Sequence, residues 1–377
     1  MFNRGAQTVI SKRAALVFAA VALIAGMLLS LALRPPGGGG SVVATTSDEG
    51  VPVRIHWRVP LSAPRNLPGA GETPSWFALA LDRASGGGVR IDLYDPGEIV
   101  PAFAVTDAVR DRKVQAGYTW LGYDQGKIPS SALFGATPFG LEPWAYIGWW
   151  HFGGGRELAE GIYARHNIKP LLCGISGPET AGWFRTPLSS TDDLAGLKIR
   201  FAGLGGKVMQ RVGASVTMLP AGEIFQALDT GVIDATEFAQ PITDQALGFS
   251  RIAKYNYYPG WHQPFSATHF VVNLDVWEGL PPADHGLLET VCMGSVGRSL
   301  GLSEYQQAPV VAGFEELGVS ASYFPEEVLR ILQSAAREVL DEEAAADADF
   351  KAVLDSQRAY QAVYREWRRL AYLPKDF

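Results

Sequence analysis

Residues 197–238 read LKIRFAGLGGKVMQRVGASVTMLPAGEIFQALDTGVIDATEF, and this stretch decides the fold. Short apolar, β-branched runs alternate in it with segments of helical spacing. Strands are predicted over residues 197–201, 216–219 and 232–238, and helices over 207–212 and 222–228. The order strand, helix, strand, helix, strand is typical of a parallel α/β unit.

The same α/β order also occurs earlier in the chain. Strands are predicted over residues 53–59, 89–94 and 113–120, with helices over 75–84 and 102–110. A pattern that restarts near the middle of the chain, here with a strand at 170–175, indicates a two-lobed α/β fold with a ligand cleft between the lobes. The predicted parts are a first lobe over 51–170 completed by part of 270–325, a second lobe over 171–269, and C-terminal helices over 325–377 that pack across the lobes or in a dimer.

An export segment with its linker is predicted over residues 1–44. Three basic residues precede an uncharged apolar run over residues 14–33, and two prolines and four glycines follow it. As a helix this run would be about 30 Å long and could span a bilayer, so a cleaved signal and an uncleaved anchor both remain open. Either one predicts a periplasmic location for the rest of the chain.

Charge and cysteine content exclude several classes of protein. The formal net charge is −7, and residues 1–44 hold four of the basic residues and none of the acidic ones. We therefore expect no nucleic-acid partner, and an acidic ligand would need a buried arginine. Cys173 and Cys292 are the two cysteines, too few for a disulfide scaffold and too widely spaced for a zinc site. One disulfide between them is allowed without being predicted.

Signatures of the common enzyme classes are missing from the sequence. It contains no G-x-S-x-G, no H-E-x-x-H, no complete phosphate loop and no C-x-x-C, so we predict no enzyme. The run Gly203-Leu-Gly-Gly206 lies between a predicted strand and a predicted helix. Backbone N–H groups could hold an anion there, and a tight turn is the equal alternative.

Arg200 is the predicted carboxylate ligand. It lies near the end of the apolar strand over residues 197–201, where a charge must leave the core or meet a partner. A guanidinium binds a carboxylate through two parallel hydrogen bonds. An internal salt bridge with a nearby acid is the alternative. Arg185 is a weaker candidate, because Thr186-Pro187 places it in a loop.

Two carboxylates are candidate cation ligands. Glu237 ends the predicted strand over residues 232–238, at the edge of an α/β sheet where ligands bind. Glu179 lies in another loop of the same lobe. Two carboxylates that face one site favour a bound metal ion over a bare anion, whereas a solvated acid at a strand end is the alternative for either residue.

An aromatic segment over residues 255–262 is dense enough to line a small cavity. Trp261 and His262 belong to it, and we predict that both contact the substrate. Core packing is the equal alternative for the segment. His262 and His269 lack a recognisable nucleophile partner, so a structural histidine is favoured over a catalytic one.

Several motifs, taken together in their order and spacing, resemble one family. This family is the DctP-type solute-binding subunit of TRAP transporters, and the resemblance covers nearly all residues from about 54 onward. Three upstream motifs are similar to the branch that binds 2-oxo acids and related monocarboxylates. The family motifs are Gly182-Trp-Phe-Arg185, Leu194-Ala-Gly-Leu-Lys-Ile-Arg200, Gly203-Leu-Gly-Gly206, Leu219-Pro-Ala-Gly-Glu-Ile-Phe225, Ala227-Leu228, Gly231-Val-Ile-Asp-Ala-Thr-Glu237 and Tyr257-Tyr-Pro-Gly-Trp-His262, and the upstream motifs are Asn66-Leu-Pro-Gly69, Gly97-Glu-Ile-Val-Pro-Ala102 and Thr137-Pro-Phe-Gly140.

The resemblance implies a periplasmic-binding-protein-like fold and assigns roles to residues of this chain. Arg200 stands at the place of the arginine that grips the substrate carboxylate, and Glu237 at the place of a glutamate that holds a cation against the substrate. Glu179 and Phe238 depart from the glutamine and the tryptophan of the branch. We expect Glu179, Glu237 and Phe238 at the cation, and Glu179 also at the substrate. The added carboxylate of Glu179 favours calcium over sodium, and a changed substrate is the alternative.

These observations predict a protein that captures a small 2-oxo or 2-hydroxy monocarboxylate, with a sodium or calcium ion, and delivers it to TRAP membrane permease subunits. The resemblance also implies a homodimer formed through C-terminal helices. Two alternatives remain open. One is an exported metal-dependent enzyme that uses Glu237 and His262 as acid and base, and the other is a binding subunit of a sensory receptor.

Overall fold

This computed structural model describes residues 51–373. The strands in this part of the chain fall into two separate groups. The predicted export segment over 1–44 lies outside the described residues. The strands are β1 (Ile55–Pro60), β2 (Val89–Tyr94), β3 (Ala116–Trp120), β4 (Ile168–Ile175), β5 (Gly182–Phe184), β6 (Lys198–Arg200), β7 (Ser215–Thr217), β8 (Ala235–Thr236), β9 (Tyr255–Tyr258), β10 (Ala267–Asn273) and β11 (Ser320–Tyr323).

Helices cover both groups of strands, so the predicted α/β class is confirmed. In the first half of the chain, the predicted strands and helices occur with ends shifted by at most three residues. The helices are α1 (Glu72–Ala84), α2 (Val105–Arg110), α3 (Ser131–Gly135), α4 (Pro143–Phe152), α5 (Gly155–Ala164), α6 (Gly203–Arg211), α7 (Ala221–Asp229), α8 (Pro241–Ala246), α9 (Leu274–Glu278), α10 (Pro282–Ala312), α11 (Glu326–Ala346) and α12 (Ala348–Ala371).

The first group of strands is built around β10. This strand is almost entirely buried and pairs antiparallel with β3 on one side and with β4 on the other. β1 and β2 form a parallel pair, and a bridge from Leu61 to Tyr118 links the end of β1 to β3. Phe77 of α1 packs on Phe270 of β10 with ring centroids 4.9 Å apart, inside an apolar core.

The predicted boundary between residues 170 and 171 falls inside β4. The strand runs unbroken to Ile175, because its backbone pairs with β10 along this whole length. The sheet formed by β3, β10 and β4, called the first sheet below, therefore includes residues 171–175, which were predicted to belong to the second lobe. The assignment of the remaining segments to lobes stays a prediction.

The second group is a six-stranded sheet in the order β11, β9, β5, β8, β6, β7. β6 is parallel to both β7 and β8, whereas β5 is antiparallel to β8 and β9. The strand predicted over 232–238 is only two residues long, because only Ala235 and Thr236 pair with β6 on one side and β5 on the other. β8 is thus a short central strand, and the chain turns away directly after it.

The glycine run 203–206 begins helix α6, so the tight turn considered for it is wrong. Glycine is required at Gly203 by its positive φ of 63° and at Gly205 by close approach. A Cβ at Gly205 would lie 2.4 Å from the Phe201 ring and 2.8 Å from the Cβ atom of His262. The glycines therefore let the first turn of α6 press against the segment that carries His262.

The C-terminal helices α11 and α12 contact different cores. Val328, Leu332 and Val339 of α11 are buried with side chains of the second sheet and of α6. Phe350 and Val353 of α12 are buried in another cluster, with aromatic side chains of α4 and α5. The two helices together therefore bridge elements that surround both groups of strands.

Cys173 of β4 and Cys292 of α10 form a disulfide. Both residues are buried in the core of the first sheet. The bond ties the long helix α10 to a strand that lies 119 residues earlier in the chain. Among the helices within residues 51–373, none is both long enough and apolar enough to cross a membrane.

Candidate functional site

Two parallel strands bring Arg200 and Glu237 together. Arg200 is the last residue of β6, and Glu237 directly follows β8, its parallel neighbour. The amide of Glu237 donates to the carbonyl of Arg200 at 3.2 Å, which continues the pairing by one step. Carboxyl ends of neighbouring parallel strands are the usual place of ligand sites in α/β folds. The predicted positions of both residues at a strand end therefore place them side by side.

Arg200 is buried and held by three hydrogen bonds. Its Nη1 donates to Oε1 of Glu237 at 2.7 Å and to the Glu237 carbonyl at 2.8 Å, and its Nε donates to the Leu219 carbonyl at 3.1 Å. The guanidinium carbon lies 5.2 Å from the centre of the Phe238 ring. Among the described residues, none accepts a hydrogen bond from Nη2. The internal salt bridge considered from the sequence exists, and one edge of the guanidinium still remains for a ligand.

Glu237 has one oxygen engaged and one unpaired among the described residues. Oε1 accepts from Arg200 and from the Ala202 amide at the start of α6, at 2.5 Å, whereas Oε2 is buried without a hydrogen-bond partner. Burial raises the pKa of this carboxyl, but the charges of Arg200 and His262 and the hydrogen bonds outweigh it and lower the pKa overall. The Ala202 amide, one residue before the glycine run, thus holds the carboxylate of Glu237.

Glu179 and His262 complete a buried cluster with Glu237. Nε2 of His262 lies 3.5 Å from Oε2 of Glu237 and 3.8 Å from Oε2 of Glu179, and one atom from each of the three groups lies within 4.8 Å of the others. Glu179 reaches the cluster from the loop between β4 and β5 and is 2% exposed. Burial, and then the charge of Glu237, raise the pKa of Glu179 well above its usual range.

The cluster fits a cation held by carboxylate oxygens. Oε2 of Glu179 and Oε2 of Glu237 are both buried without a hydrogen-bond partner among the described residues, and such atoms are costly unless something binds them. Sodium and calcium prefer oxygen ligands of this kind. Glu179 and Glu237 would hold the ion. The side chain of Phe238 has no ligand atom, so a role for Phe238 at the ion would rest on its carbonyl oxygen.

A cavity of about 110 Å³ adjoins the cluster. Glu179 and Phe238 line one part of it, whereas Trp120 enters from the last position of β3 and Tyr123 from the segment that follows this strand. Burial raises the pKa of the Tyr123 hydroxyl, whereas the charge of Arg200 acts in the opposite direction, so the two groups are electrostatic neighbours. The sequence analysis missed Trp120 and Tyr123. Their position at the carboxyl end of a strand was the signal that could have identified them.

The structure separates the other candidates from the cluster. Trp261 is buried, with its ring centroid 5.7 Å from that of Phe139 and 5.8 Å from that of Phe201, and it does not line the cavity. His269 lies in β10, with its ring centroid 5.2 Å from that of Trp150. Arg185 is exposed in a loop and donates to the Leu228 carbonyl. His262 is the aromatic-segment residue that reaches the carboxylates.

Comparison with known proteins agrees with this fold. Residues 62–347 match the family model of DctP, described as bacterial extracellular solute-binding protein, family 7. A monocarboxylate 2-oxoacid-binding periplasmic protein of Nostoc sp. is 33% identical over 321 residues, which is 85% of this chain and 88% of that protein.

Two solved structures share the fold over most of their length. A TRAP transporter solute-binding protein from Bordetella bronchiseptica, a mixed-occupancy dimer with copurified calcium and picolinate, has a TM-score of 0.83 and 30% identity over 85% of this chain and 95% of that one. A TRAP periplasmic solute-binding protein from Pseudoalteromonas atlantica with bound sodium and pyruvate has a TM-score of 0.81 and 29% identity over 84% and 97%.

A two-lobed α/β fold with a buried arginine and two carboxylates beside a cavity is typical of a solute-binding protein. The chain belongs to the DctP family of extracellular solute-binding proteins. The family resemblance predicted from the sequence is confirmed.

Proposed function

We propose that this protein captures a small 2-oxo or 2-hydroxy monocarboxylate together with a calcium ion. The observation that carries the proposal is the meeting of Arg200, Glu179 and Glu237 in one buried place, with two carboxylate oxygens that have no partner among the described residues. The relatives that bind pyruvate or picolinate with sodium or calcium support the same chemistry.

Arg200 is the proposed ligand of the substrate carboxylate. Its unengaged Nη2 edge and the neighbouring Tyr123 hydroxyl are hydrogen-bond donors in a site without bulk water. A charge-assisted hydrogen bond gains strength under these conditions. Trp261 packs beside His262, with ring centroids 5.5 Å apart, and its predicted contact with the substrate stays a proposal.

Calcium is the proposed ion because two carboxylates contribute to the site. Their combined charge suits a divalent ion better than a monovalent one, and bound calcium would supply a positive charge to which oxygens of the substrate bind. The raised pKa of Glu179 shows how strongly burial and Glu237 disfavour a second negative charge there when nothing positive is bound. Phe238 would contribute its carbonyl oxygen.

The cavity lining supports a substrate with one carboxylate and an uncharged tail. Glu179 is the one carboxylate among the lining residues that the structure describes, and these residues include no lysine or arginine. A second carboxylate on the substrate would lie in a space without a positive partner, which is strongly unfavourable. Neutral hydroxyl and apolar side chains, such as Thr73, Ser266 and Leu302, suit an aliphatic or hydroxylated tail.

The proposed role is transport rather than catalysis, with the protein in the periplasm and the loaded form recognised by TRAP membrane permease subunits. The arrangement provides a place to bind and enclose a solute, and binding and release break no covalent bond. The family places this protein among extracellular solute-binding proteins.

A homodimer through the C-terminal helices is proposed from one apolar stripe. Val363, Trp367 and Leu370 of α12 are 82%, 62% and 65% exposed and repeat at helical spacing. Such a stripe is costly in water and is typical of a surface that another helix covers. Replacing Trp367 with Glu should convert a dimer into a monomer in light scattering. A wild-type monomer would contradict this part of the proposal.

Native mass spectrometry of the purified protein, followed by identification of its small molecules, tests the proposed function. We expect a calcium ion and one 2-oxo or 2-hydroxy monocarboxylate for each chain. Chelation with EDTA should then weaken the binding of added pyruvate, and pyruvate should be recovered unchanged after incubation. Unchanged affinity after chelation would overturn the divalent ion, and consumption of pyruvate would indicate an enzyme.

A further inference from the structure

Asp244 is a buried carboxylate directly behind the cluster of Glu179, Glu237 and His262. It lies on α8 with no exposed surface. Its Oδ2 accepts a hydrogen bond from the indole Nε1 of Trp183 at 2.8 Å and from the Thr180 hydroxyl at 3.4 Å. Its Oδ1 accepts from the Ala239 amide at 3.1 Å. No basic side chain within residues 51–373 forms a salt bridge with it at 4 Å or less, so three neutral donors stabilise the group.

The donors to Asp244 belong to the two segments that carry the cation ligands. Thr180 directly follows Glu179, and Ala239 lies two residues after Glu237. The segments are also joined directly by the amide of Thr180, which donates to the Ala239 carbonyl at 3.3 Å. Beyond this bond the chains leave the paired region of β5 and β8. Asp244 therefore fixes the spacing of the segments where the sheet no longer does.

Helix α8 is itself held from several sides, which makes it a rigid support. The Gln240 side chain accepts from Ser303 of α10 at 2.6 Å, and the Ile242 amide donates to Gln307 of the same helix at 3.0 Å. The Thr243 hydroxyl donates to the Pro68 carbonyl at 2.8 Å. Because α8 is held in this way, the carboxylate of Asp244 can set the positions of its hydrogen-bond partners instead of moving with them.

We propose that Asp244 is a positioning residue for the cation, which holds the segments of Glu179 and Glu237 so that both carboxylates reach one ion. This inference rests on the proposed function. Groups that orient the ligands of a metal without touching it commonly change metal affinity by about ten- to a hundredfold when they are replaced.

The test compares Asp244→Asn with Asp284→Asn in the full-length, chelator-stripped protein. Asparagine keeps the size of the side chain but places an N–H₂ group where one of the donors needs an acceptor. Asp284 is an equally buried aspartate, bonded to Arg54 near the start of α10. It lies about 30 Å along that helix from the Ser303 side chain that lines the cavity. Calcium alone is titrated by calorimetry, and apo melting temperatures are recorded for both variants.

We expect Asp244→Asn to weaken calcium binding by at least about tenfold. Asp284→Asn should lower the melting temperature but leave calcium affinity at the wild-type value. In saturating calcium, Asp244→Asn should bind pyruvate as the wild type does, which separates ion positioning from general collapse of the site. Trp183→Phe removes a single donor and should give an intermediate calcium affinity, and it serves as the test if Asp244→Asn fails to fold.

If Asp244→Asn binds calcium as tightly as the wild type, the positioning role is overturned while the proposed function stays intact. If Asp244→Asn does not fold, the same result in Trp183→Phe overturns it. An equal loss of calcium affinity in Asp284→Asn would also overturn it, because the effect would then follow stability alone. A wild-type chain that binds no calcium at any concentration would overturn the proposed ion, and the positioning role with it.

Discussion

Oε1 of Glu237 lies 2.7 Å from Nη1 of Arg200, and both side chains are buried at the ends of neighbouring parallel strands. The same glutamate turns its other oxygen towards Glu179 and His262. The proposed carboxylate ligand and the proposed ion ligand are therefore parts of one charged unit. A substitution of either Arg200 or Glu237 therefore changes the electrostatic field at both the substrate and the ion.

Replacing Arg200 with Ala should weaken pyruvate binding by at least about a hundredfold, or roughly 3 kcal/mol, because a desolvated charge pair is lost. Calorimetry in saturating calcium measures this. The matched control is Arg185→Ala, since Arg185 is exposed and donates to the Leu228 carbonyl rather than to Glu237. If both variants bind pyruvate equally well, Arg200 is not the carboxylate ligand.

The variant Glu179→Gln should reduce calcium affinity by more than about tenfold, because one of the two charged ligands becomes neutral. Sodium should then compete more effectively, since the remaining charge matches a monovalent ion. Calcium titrations in potassium and in sodium buffers give both numbers. A calcium affinity that does not change would place the ion elsewhere.

Gly205→Ala should weaken calcium binding and destabilise the protein by about 1–3 kcal/mol, because the added Cβ overlaps the Phe201 ring and the Cβ atom of His262. Gly222→Ala is the control. Gly222 lies in α7 with open space around its Cβ position, so the same change there should stabilise the fold by about 0.4–1 kcal/mol. Urea unfolding measures both. Equal effects would show that the contact with the His262 segment is unimportant.

Removal of the disulfide should cost about 2–5 kcal/mol of unfolding free energy, since Cys173 and Cys292 close a loop of 119 residues. The double variant with serine at both positions isolates this effect in urea unfolding. Affinity for pyruvate should remain, because neither cysteine lines the cavity. A double variant as stable as the wild type would show that the bond adds nothing to the native state.

His269 should make the protein less stable in acid. Burial lowers its pKa from 6.5 to about 3, so the unfolded chain binds a proton that the native state refuses between these values. Stability from this group is present above pH 6.5 and is lost as the pH falls, by about 2 kcal/mol at pH 5. His269→Leu should lose that much less between pH 7 and pH 5. Parallel pH dependences would contradict the buried neutral imidazole.

The sequence predicted those parts of the fold that depend on neighbouring residues. Local periodicity located the strands and helices around Arg200, and the position of Glu237 after an apolar run placed it at a strand end. Pairing between distant segments left no local signal, so the pairing of β4 with β10, which places residues 171–175 in the first sheet, was missed. Asp244 was missed for the same reason, because its three partners lie on segments that only the folded chain brings together.

The family resemblance predicted site residues that hydrophobic periodicity alone could not identify. Glu179 and Glu237 are separated by many residues, and their spacing alone did not establish that they meet. The glycine run showed the limit of propensity arguments. Glycines favour turns over helices in isolation, yet Gly203 to Gly206 begin α6, and the glycine at 205 is explained by the collision that a side chain there would make with Phe201.

The central position of β10 sets the earliest point during synthesis at which the first sheet can form. A growing chain emerges with β3 and β4 long before β10, the strand that must lie between them. Until residues 267–273 are available, the first sheet cannot close, and the strands facing the gap keep unpaired edges that invite association with other chains. The second sheet is also incomplete then, because β11 comes later still. The first sheet can therefore close before the second, and a chain that ends before residue 267 has neither sheet complete.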